Sequence, residues 1–290
     1  MKDLKGIYAA LLTPFNDDGS INFDSITKLV EFNIAQGLHG LYVCGSTGES
    51  PLMSEEERIA ILRHVAKVVN GRIKLIAHVG TISTDSAVRM AKVAEQCAYD
   101  AVSAVVPFYF SFSAEAIKGY YKEIIAATSL PMVIYNFPGS SGFNGMLDMV
   151  NELIDEPKLV GVKHTSVNLF DLERFKNLKK PLVVFNGFDE MLIGGLSMGA
   201  DGGIGSTYNF MGKIILDIYN AFNKGDMASA QAAQNKANRI IDAMIPYGVF
   251  AMEKAILTEL GIPMGNCRKP FTPLSQEGWE VAKKIAKELK

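Results

Sequence analysis

The sequence predicts an α/β protein, a (β/α)8 TIM barrel with a C-terminal helical extension. Short apolar runs alternate with longer segments of helical apolar spacing, and this happens eight times within about 220 residues. An open doubly wound sheet is the alternative, but no GxGxxG motif follows the first apolar run. We expect the barrel over residues 1–211. Residues 212–290 should form the last barrel helix and a helical extension, packed on the barrel because no Pro-, Gly- or Ser-rich linker intervenes.

The predicted elements follow the chain in regular order. The strands are Ile7–Leu12, Leu41–Cys44, Lys74–Val79, Ala101–Val106, Met132–Tyr135, Leu159–Lys163, Leu182–Phe185 and Gly202–Ile204. Clear helical spacing is found over Asp24–Ala35, Ser54–Val69, Thr84–Cys97 and Ala114–Ala127. Ser54 and Glu57 have the spacing of a capping box, and we expect Ser113 and Asp171 to cap later helices.

Composition excludes several classes of protein. The net charge is −2 with Lys and Arg scattered, so no nucleic-acid surface is indicated. The three cysteines lie far apart and the four histidines have no metal-ligand spacing, so we expect neither disulfides nor a metal. The apolar N-terminal patch lacks a cleavage signal, and no run is long enough to span a membrane. These observations predict a cytoplasmic protein with no membrane or nucleic-acid partner.

Polar residues cluster where the predicted strands end. In a barrel, functional side chains belong at the carboxyl ends of strands and in the loops that follow. The segments at these places are GSTGE at 45–49, PFYF at 107–110, YNFP at 135–138, KHT at 163–165, NGFDE at 186–190 and GSTY at 205–208. The sequence therefore places its chemistry at one mouth of the barrel.

Lys163 ends the apolar run LVGVKHT. A lysine is almost never buried without a partner, and a neutral lysine amine is a nucleophile toward carbonyl groups. Lys163 is therefore either a strand-end lysine that reaches solvent or the centre of the chemistry. Gly161, two residues earlier on the same face of the strand, would leave room for the lysine stem.

Two further segments each allow two interpretations, one functional and one structural. Tyr135 ends the neighbouring strand and could move a proton at Lys163, or be a core tyrosine. The GSTGE loop could form an anion-binding nest for a carboxylate, or a turn in which Ser46 or Thr47 caps the next helix. Glu49 could cap locally or bind.

The remaining polar residues give weaker signals. Asp189 and Glu190 could bind substrate hydroxyls or lie in a solvated loop, and they are too divergent in direction for a shared-proton dyad. Thr165 and Ser206 carry little signal alone, and Tyr109 is typical of packing or an interface. His78 and His164 are predicted to be structural.

These motifs together resemble one family. GSTGE, a YNxP motif and a lysine at the sixth strand end are similar to the pyruvate-dependent aldolases that include dihydrodipicolinate synthase and N-acetylneuraminate lyase. NGFDE with GADGGIGSTYN is similar to the sialic acid lyase branch. The similarity runs from GIYAALLTPF to CRKPF, nearly the whole chain.

The resemblance implies an activity and roles. It implies reversible retro-aldol cleavage of N-acetylneuraminate to pyruvate and N-acetylmannosamine, without a cofactor, by a homotetramer. Lys163 would form the Schiff base, Tyr135 would be the catalytic tyrosine, and Tyr109 would assist the proton relay, in relatives from a neighbouring subunit. The implied substrate-binding residues are Ser46, Thr47, Thr165, Gly187, Asp189, Glu190 and Ser206.

Two departures and two rivals accompany this interpretation. The segment 139–142 lacks the arginine that the synthase branch carries after YNxP, which weakens the synthase alternative. Phe110 stands where several lyases have a second tyrosine. The rivals are a sister aldolase, such as dihydrodipicolinate synthase or another keto-sugar-acid aldolase, and a binding protein on an inactive barrel.

Overall fold

Eight parallel strands close into a barrel in chain order in the computed structural model, which describes residues 3–290. The strands are β1 Gly6–Ala10, β2 Gly40–Val43, β3 Lys74–His78, β4 Ala101–Val105, β5 Met132–Asn136, β6 Leu159–His164, β7 Val183–Asn186 and β8 Gly202–Gly205. The predicted barrel is thus confirmed, with strand limits that differ by one or two residues.

Closure depends on the contact of β8 with β1. Their register pairs Gly6 with Gly202 and Ala9 with Gly205. A Cβ at Gly202 would lie 1.9 Å from the carbonyl oxygen of Gly6, so only a glycine lets the two backbones approach this closely. All residues of both strands are buried, as expected for a parallel sheet covered by helices.

Twelve helices lie within the described residues. They are α1 Phe23–Ala35, α2 Glu55–Val69, α3 Thr84–Gln96, α4 Ala114–Ala127, α5 Pro138–Ser141, α6 Met146–Glu152, α7 Leu169–Lys176, α8 Leu192–Ser197, α9 Tyr208–Asn223, α10 Met227–Met244, α11 Val249–Glu259 and α12 Gln276–Leu289. Single 3-10 turns cover Ser50–Leu52, Asp189–Met191 and Ile245–Tyr247.

Helix capping agrees with two of the three sequence predictions. Ser54 and Glu57 form the capping box of α2, and Ser113 accepts a hydrogen bond from the backbone of Ala116 at the start of α4. The prediction for Asp171 was wrong. Asn168 caps α7 by accepting from the Asp171 N–H, so Asp171 occupies the first turn, where its charge favours the helix dipole.

A buried ion pair joins the C-terminal helices to the loop after β2. Lys254 of α11 places Nζ 2.5 Å from Oε1 of Glu49, and the two side chains are 2% and 0% exposed. The backbone N–H of Arg268 donates to the other Glu49 oxygen at 2.7 Å. Lys254 and Arg268 both lie over the ring of Phe15, each 4.4 Å from its centroid. The Glu49 side chain therefore makes no capping bond and is not free to bind a ligand, since it anchors the loop to the C-terminal segment.

Removing one partner of this pair should destabilise the fold strongly. Lys254→Met would leave the Glu49 carboxylate buried without a counter-charge, and such changes cost about 3–5 kcal/mol. The double variant with Glu49→Gln should lose less than the sum of the two single changes, as measured by urea denaturation. Lys283→Met is the control, because its pair with Glu280 is exposed and should contribute less than about 1 kcal/mol. Equal losses for Lys254→Met and the control would contradict the prediction.

Candidate active site

A cavity of about 310 Å³ opens at the carboxyl mouth of the barrel. Nine of the ten predicted site residues line it, namely Ser46, Thr47, Tyr135, Lys163, Thr165, Gly187, Asp189, Glu190 and Ser206. A larger cavity of about 720 Å³ lies at the opposite, amino-terminal end, lined by residues such as His39, Arg72 and Lys74, and contains none of the ten. The side chains that the sequence singled out therefore converge in one place.

Lys163 points into the barrel and is only 5% exposed. Its Nζ lies 4.3 Å from the ring centroid of Tyr135 and 4.6 Å from that of Tyr42. The register of β5 and β6 places Tyr135 directly opposite Lys163. Within residues 3–290, no carboxylate lies within ion-pair distance of the amine. The alternative of a lysine extending into solvent is therefore wrong.

Gly161 has a different role from the one expected. A Cβ at this position would lie 2.5 Å from the carbonyl oxygen of Val183 on β7. The register between β5 and β6 also shifts by one residue just before Gly161. The glycine therefore permits close approach of β6 and β7. The atoms nearest to a Cβ at this position belong to Val183 of β7, and not to the stem of the lysine side chain.

The loop after β2 leaves two backbone donors free. Cys44 and Glu49 adopt positive φ angles of 61° and 60°, which bend the chain sharply at both ends. The N–H groups of Gly48 and Ser50 bond to the carbonyl of Gly45, and that of Glu49 bonds to Ser46. No described group accepts from the N–H of Ser46 or Thr47. Since α2 is capped by Ser54, Ser46 and Thr47 do not cap that helix, and their N–H groups have the arrangement that the anion-nest interpretation requires.

His78 holds this loop against the neighbouring strands. Its Nδ1 donates to the carbonyl of Cys44 at 2.9 Å, and its Nε2 accepts from the N–H of Val105 at 3.3 Å. Only the neutral ring satisfies both bonds. Burial, together with the nearby charge of Arg58, lowers the pKa of His78 to about 3. The Arg58 guanidinium in turn donates to the carbonyls of His78 and Gly80, at 2.8 and 3.1 Å.

His164 performs the same task beside Thr165. Its Nδ1 accepts from the Asn136 amide and its Nε2 donates to the Asn168 carbonyl, both at 2.9 Å. Burial lowers the pKa of His164, so this ring is also neutral. Both histidines are structural, as the sequence predicted.

Thr165 and Gly187 fit together at the cavity wall. The Thr165 hydroxyl is buried and has no hydrogen-bond partner among the described residues. A Cβ at Gly187 would lie 1.9 Å from that oxygen, so the glycine makes room for it. An unpartnered buried hydroxyl in a cavity wall is a natural contact for a polar ligand.

Asp189 is buried at the cavity floor, whereas Glu190 is exposed. One Asp189 oxygen accepts from the N–H and hydroxyl of Thr207, at 2.8 and 2.7 Å. Burial is the main cause that raises the pKa of Asp189 to about 6. From α10, Gln234 and Asn238 donate to the backbone carbonyls of Asp189 and Glu190, both at 3.1 Å. The two acidic residues thus have separate surroundings, which agrees with the absence of a dyad.

Sequence reasoning missed the part of the cavity wall that comes from the C-terminal extension. These residues are Ile241, Ile245, Val249 and Phe250. Their signal was limited to ordinary helical spacing of apolar residues, and only the docking of α10 and α11 over the barrel mouth brings them to the site.

Tyr109 lies outside the cavity of the single chain. It is 87% exposed, and its backbone has a positive φ of 80°. Its ring meets Phe110 edge to face at 5.0 Å, and Phe110 is itself 62% exposed. The structure therefore does not bring Tyr109 together with the other nine predicted residues.

Residues 3–290 lack the features of two other kinds of site. No group of three or more His, Cys, Asp or Glu side chains is arranged to hold a metal ion. No helix in the same range has the length and apolar character needed to cross a membrane.

Comparison with known proteins shows the family. Residues 3–289 match the Dihydrodipicolinate synthetase family. The chain is 44% identical to the N-acetylneuraminate lyase of Citrobacter koseri over 290 residues, which cover 99% of this chain and 98% of that protein.

Solved structures give the same result. CdNal from Clostridium difficile, crystallised in complex with mannosamine, has a TM-score of 0.97 and 36% identity, with full coverage of both chains. N-acetylneuraminate lyase from Fusobacterium nucleatum has a TM-score of 0.94 and 36% identity, with 99% of each chain covered. The resemblance inferred from the motifs is confirmed, and the chain belongs to the dihydrodipicolinate synthetase family.

Proposed function

We propose that this protein is a carbon–carbon lyase, a class I aldolase that reversibly cleaves N-acetylneuraminate to pyruvate and N-acetylmannosamine. The observation that carries the proposal is a buried Lys163 that has no carboxylate partner among the described residues and faces Tyr135, in a cavity also lined by the free N–H groups of Ser46 and Thr47. The names of the relatives at 44–45% identity support the choice of substrate.

The reaction begins at the nest. The substrate carboxylate binds the free N–H groups of Ser46 and Thr47, which places the ketone beside Lys163. The neutral amine attacks the second carbon of the open-chain sugar acid, and loss of water gives an iminium ion. Anchoring of the carboxylate makes this step effectively intramolecular, which is worth up to about 7–11 kcal/mol in ideal cases.

The iminium ion then accepts electrons from the breaking bond. Tyr135, assisted by the substrate carboxylate, takes the proton from the hydroxyl on the fourth carbon. The bond between the third and fourth carbons breaks, N-acetylmannosamine leaves as the aldehyde, and an enamine remains on Lys163. Protonation of the third carbon and hydrolysis of the resulting iminium release pyruvate and restore the amine. The scheme requires no cofactor.

The opposite side of the cavity binds the sugar. Thr165 supplies a hydroxyl that no group of residues 3–290 satisfies, and Asp189 supplies a carboxylate oxygen as acceptor. Gly187, Glu190 and Ser206 complete this wall. A smaller aldol substrate without these hydroxyl groups would leave the polar groups of the wall unpaired. The wall therefore favours a sugar acid as substrate.

Lys163→Arg should abolish cleavage of N-acetylneuraminate, because arginine keeps the charge but loses the nucleophilic amine. Borohydride reduction in the presence of pyruvate should label the wild type at Lys163, as read by peptide mass mapping, and leave Lys163→Arg unlabelled. Lys158→Arg, which changes a lysine outside the cavity, is the control and should retain labelling. Substantial turnover by Lys163→Arg would overturn the scheme. A panel of N-acetylneuraminate, aspartate semialdehyde with pyruvate, and keto-deoxy sugar acids separates this lyase from a sister aldolase.

Tyr135→Phe should lower kcat by about 10²–10⁴-fold, the usual range for loss of a general acid–base group. Imine formation with pyruvate should slow but continue, because Lys163 and the nest remain. Steady-state kinetics and borohydride trapping measure the two effects separately. Wild-type turnover in this variant would remove Tyr135 from the proton relay.

We further propose that the enzyme is a homotetramer of the cytoplasm in which Tyr109 serves the active site of a neighbouring subunit. The exposed aromatic cluster of Tyr109, Phe110 and Phe112 is the surface that supports this assembly. Large exposed apolar groups with a strained backbone are typical of functional contact surfaces. The three cysteines are free, which suits a reducing compartment.

Phe110→Asp should dissociate the assembly, because it places a charge in the proposed contact. Sedimentation velocity should show a smaller species, and kcat should fall together with the tetramer fraction as Tyr109 is withdrawn from the neighbouring site. Met227→Asp changes an apolar residue that is 46% exposed at the start of α10, and it should leave the sedimentation unchanged. A wild type that sediments as a monomer with full activity would contradict both parts of the proposal.

A further inference from the structure

Glu253 is a buried carboxyl group that the proposed reaction does not use. It lies on α11, its side chain is 0% exposed, and neither carboxyl oxygen has a hydrogen-bond partner among the described residues. A buried ionised carboxylate without a partner is highly unfavourable. The group must therefore carry a proton, or gain a partner when the cavity is filled.

Ser206 is the polar neighbour that links Glu253 to the cavity. The Ser206 hydroxyl is close enough to act on the carboxyl group electrostatically, although no bond of good geometry joins them. Ser206 is partly exposed and lines the cavity, whereas Glu253 does not reach it. Glu253 thus stands directly behind a residue of the proposed sugar-binding wall.

Of the two charged neighbours of Glu253, Asp189 favours its neutral form and Lys254 opposes it. Asp189, from the turn after β7, is a nearby acid that opposes a second negative charge. The adjacent Lys254 gives its ammonium to Glu49, and Cys267 faces the same region as a neutral thiol. Burial is the main cause that raises the pKa of Glu253 to about 8. The Ser206 hydroxyl is the largest influence in the opposite direction, since it lowers this pKa.

We propose that Glu253 is a positioning residue that, in its protonated form, donates to the Ser206 oxygen and thereby directs the Ser206 proton into the cavity. The proposal rests on the proposed function, since the group that receives the Ser206 proton is a sugar hydroxyl oxygen. When Glu253 loses its proton, Ser206 turns to donate to the carboxylate, and the cavity loses one donor. The carboxylate would also repel Asp189, which holds the neighbouring part of the sugar.

The first experiment compares KM for N-acetylneuraminate in three variants at pH 7. Glu253→Leu removes the donor and should raise KM by about tenfold, the equivalent of one good hydrogen bond, while borohydride trapping with pyruvate is unchanged. Glu253→Gln supplies an amide donor that cannot ionise, and it should restore KM to within about twofold of the wild type. Glu259→Gln on the same helix is the matched control.

The second experiment follows kcat/KM from about pH 6 to about pH 10. This range lies on both sides of the Glu253 pKa of about 8. The wild type should lose kcat/KM above about pH 8 through a rising KM, and Glu253→Gln should lack this rise. An identical alkaline rise in KM for both proteins would overturn the proposal, because the titration would then belong to another group. An unchanged KM in Glu253→Leu at pH 7 would overturn it as well.

A third measurement is independent of activity. The buried Glu253 carboxyl binds its proton more tightly in the folded state than in the unfolded state, where its pKa is near 4.5. Wild-type stability relative to Glu253→Gln should therefore fall as the pH rises from 4.5 to about 8, and then level off. Urea denaturation at pH 5 and pH 8 measures this difference, and a constant difference would overturn the proton assignment. Failure of the proposed function would instead appear as a wild type that cleaves no sugar acid at any pH.

Discussion

The loop of the proposed anion nest is anchored by a charge pair between residues far apart in the chain. Glu49 follows Ser46 and Thr47 by two or three residues, yet it is fixed by Lys254 and by the backbone of Arg268, more than 200 residues later. Glu49 has a positive φ at the position where these bonds hold it, and the free N–H groups belong to Ser46 and Thr47, which line the cavity. The C-terminal extension is therefore part of the active-site framework, since it also contributes the apolar wall around Val249 and Phe250.

Two neutral histidines extend this framework around the barrel mouth. His78 connects the ends of β2, β3 and β4, and His164 connects the ends of β5 and β6 to the start of α7. Each ring uses one nitrogen as donor and the other as acceptor, so protonation would break one bond in each network. Their low pKa values follow from burial and keep both networks intact near neutral pH.

The sequence was sufficient to predict the features that depend on the periodicity of apolar residues. It was not sufficient to predict contacts between residues that lie far apart in the chain. Alternation along β6 predicts that Lys163 has a definite face, and the barrel then brings nine of the predicted residues into one cavity. Periodicity did not predict the partner of Glu49, because Lys254 lies in another layer of the fold. Periodicity also gave the wrong reason for the glycine at position 161. A side chain there is excluded by the backbone of Val183 on the next strand. Tyr109 lies on the outer surface, so the barrel does not bring it into the cavity as it does the other nine residues.

The distribution of acidic groups explains how one cavity can support both steps of the proposed chemistry. A carboxylate beside Lys163 would stabilise its ammonium form, and an ammonium ion is not a nucleophile. The acids instead lie on the side that we propose binds the sugar, where Asp189 is buried against Thr207 and Glu253 is buried behind Ser206. Burial there raises both pKa values, so less negative charge acts on the lysine than two exposed carboxylates would exert. The same burial that makes these acids costly to ionise thus leaves Lys163 between two aromatic rings, and no carboxylate of residues 3–290 lies within ion-pair distance of its amine.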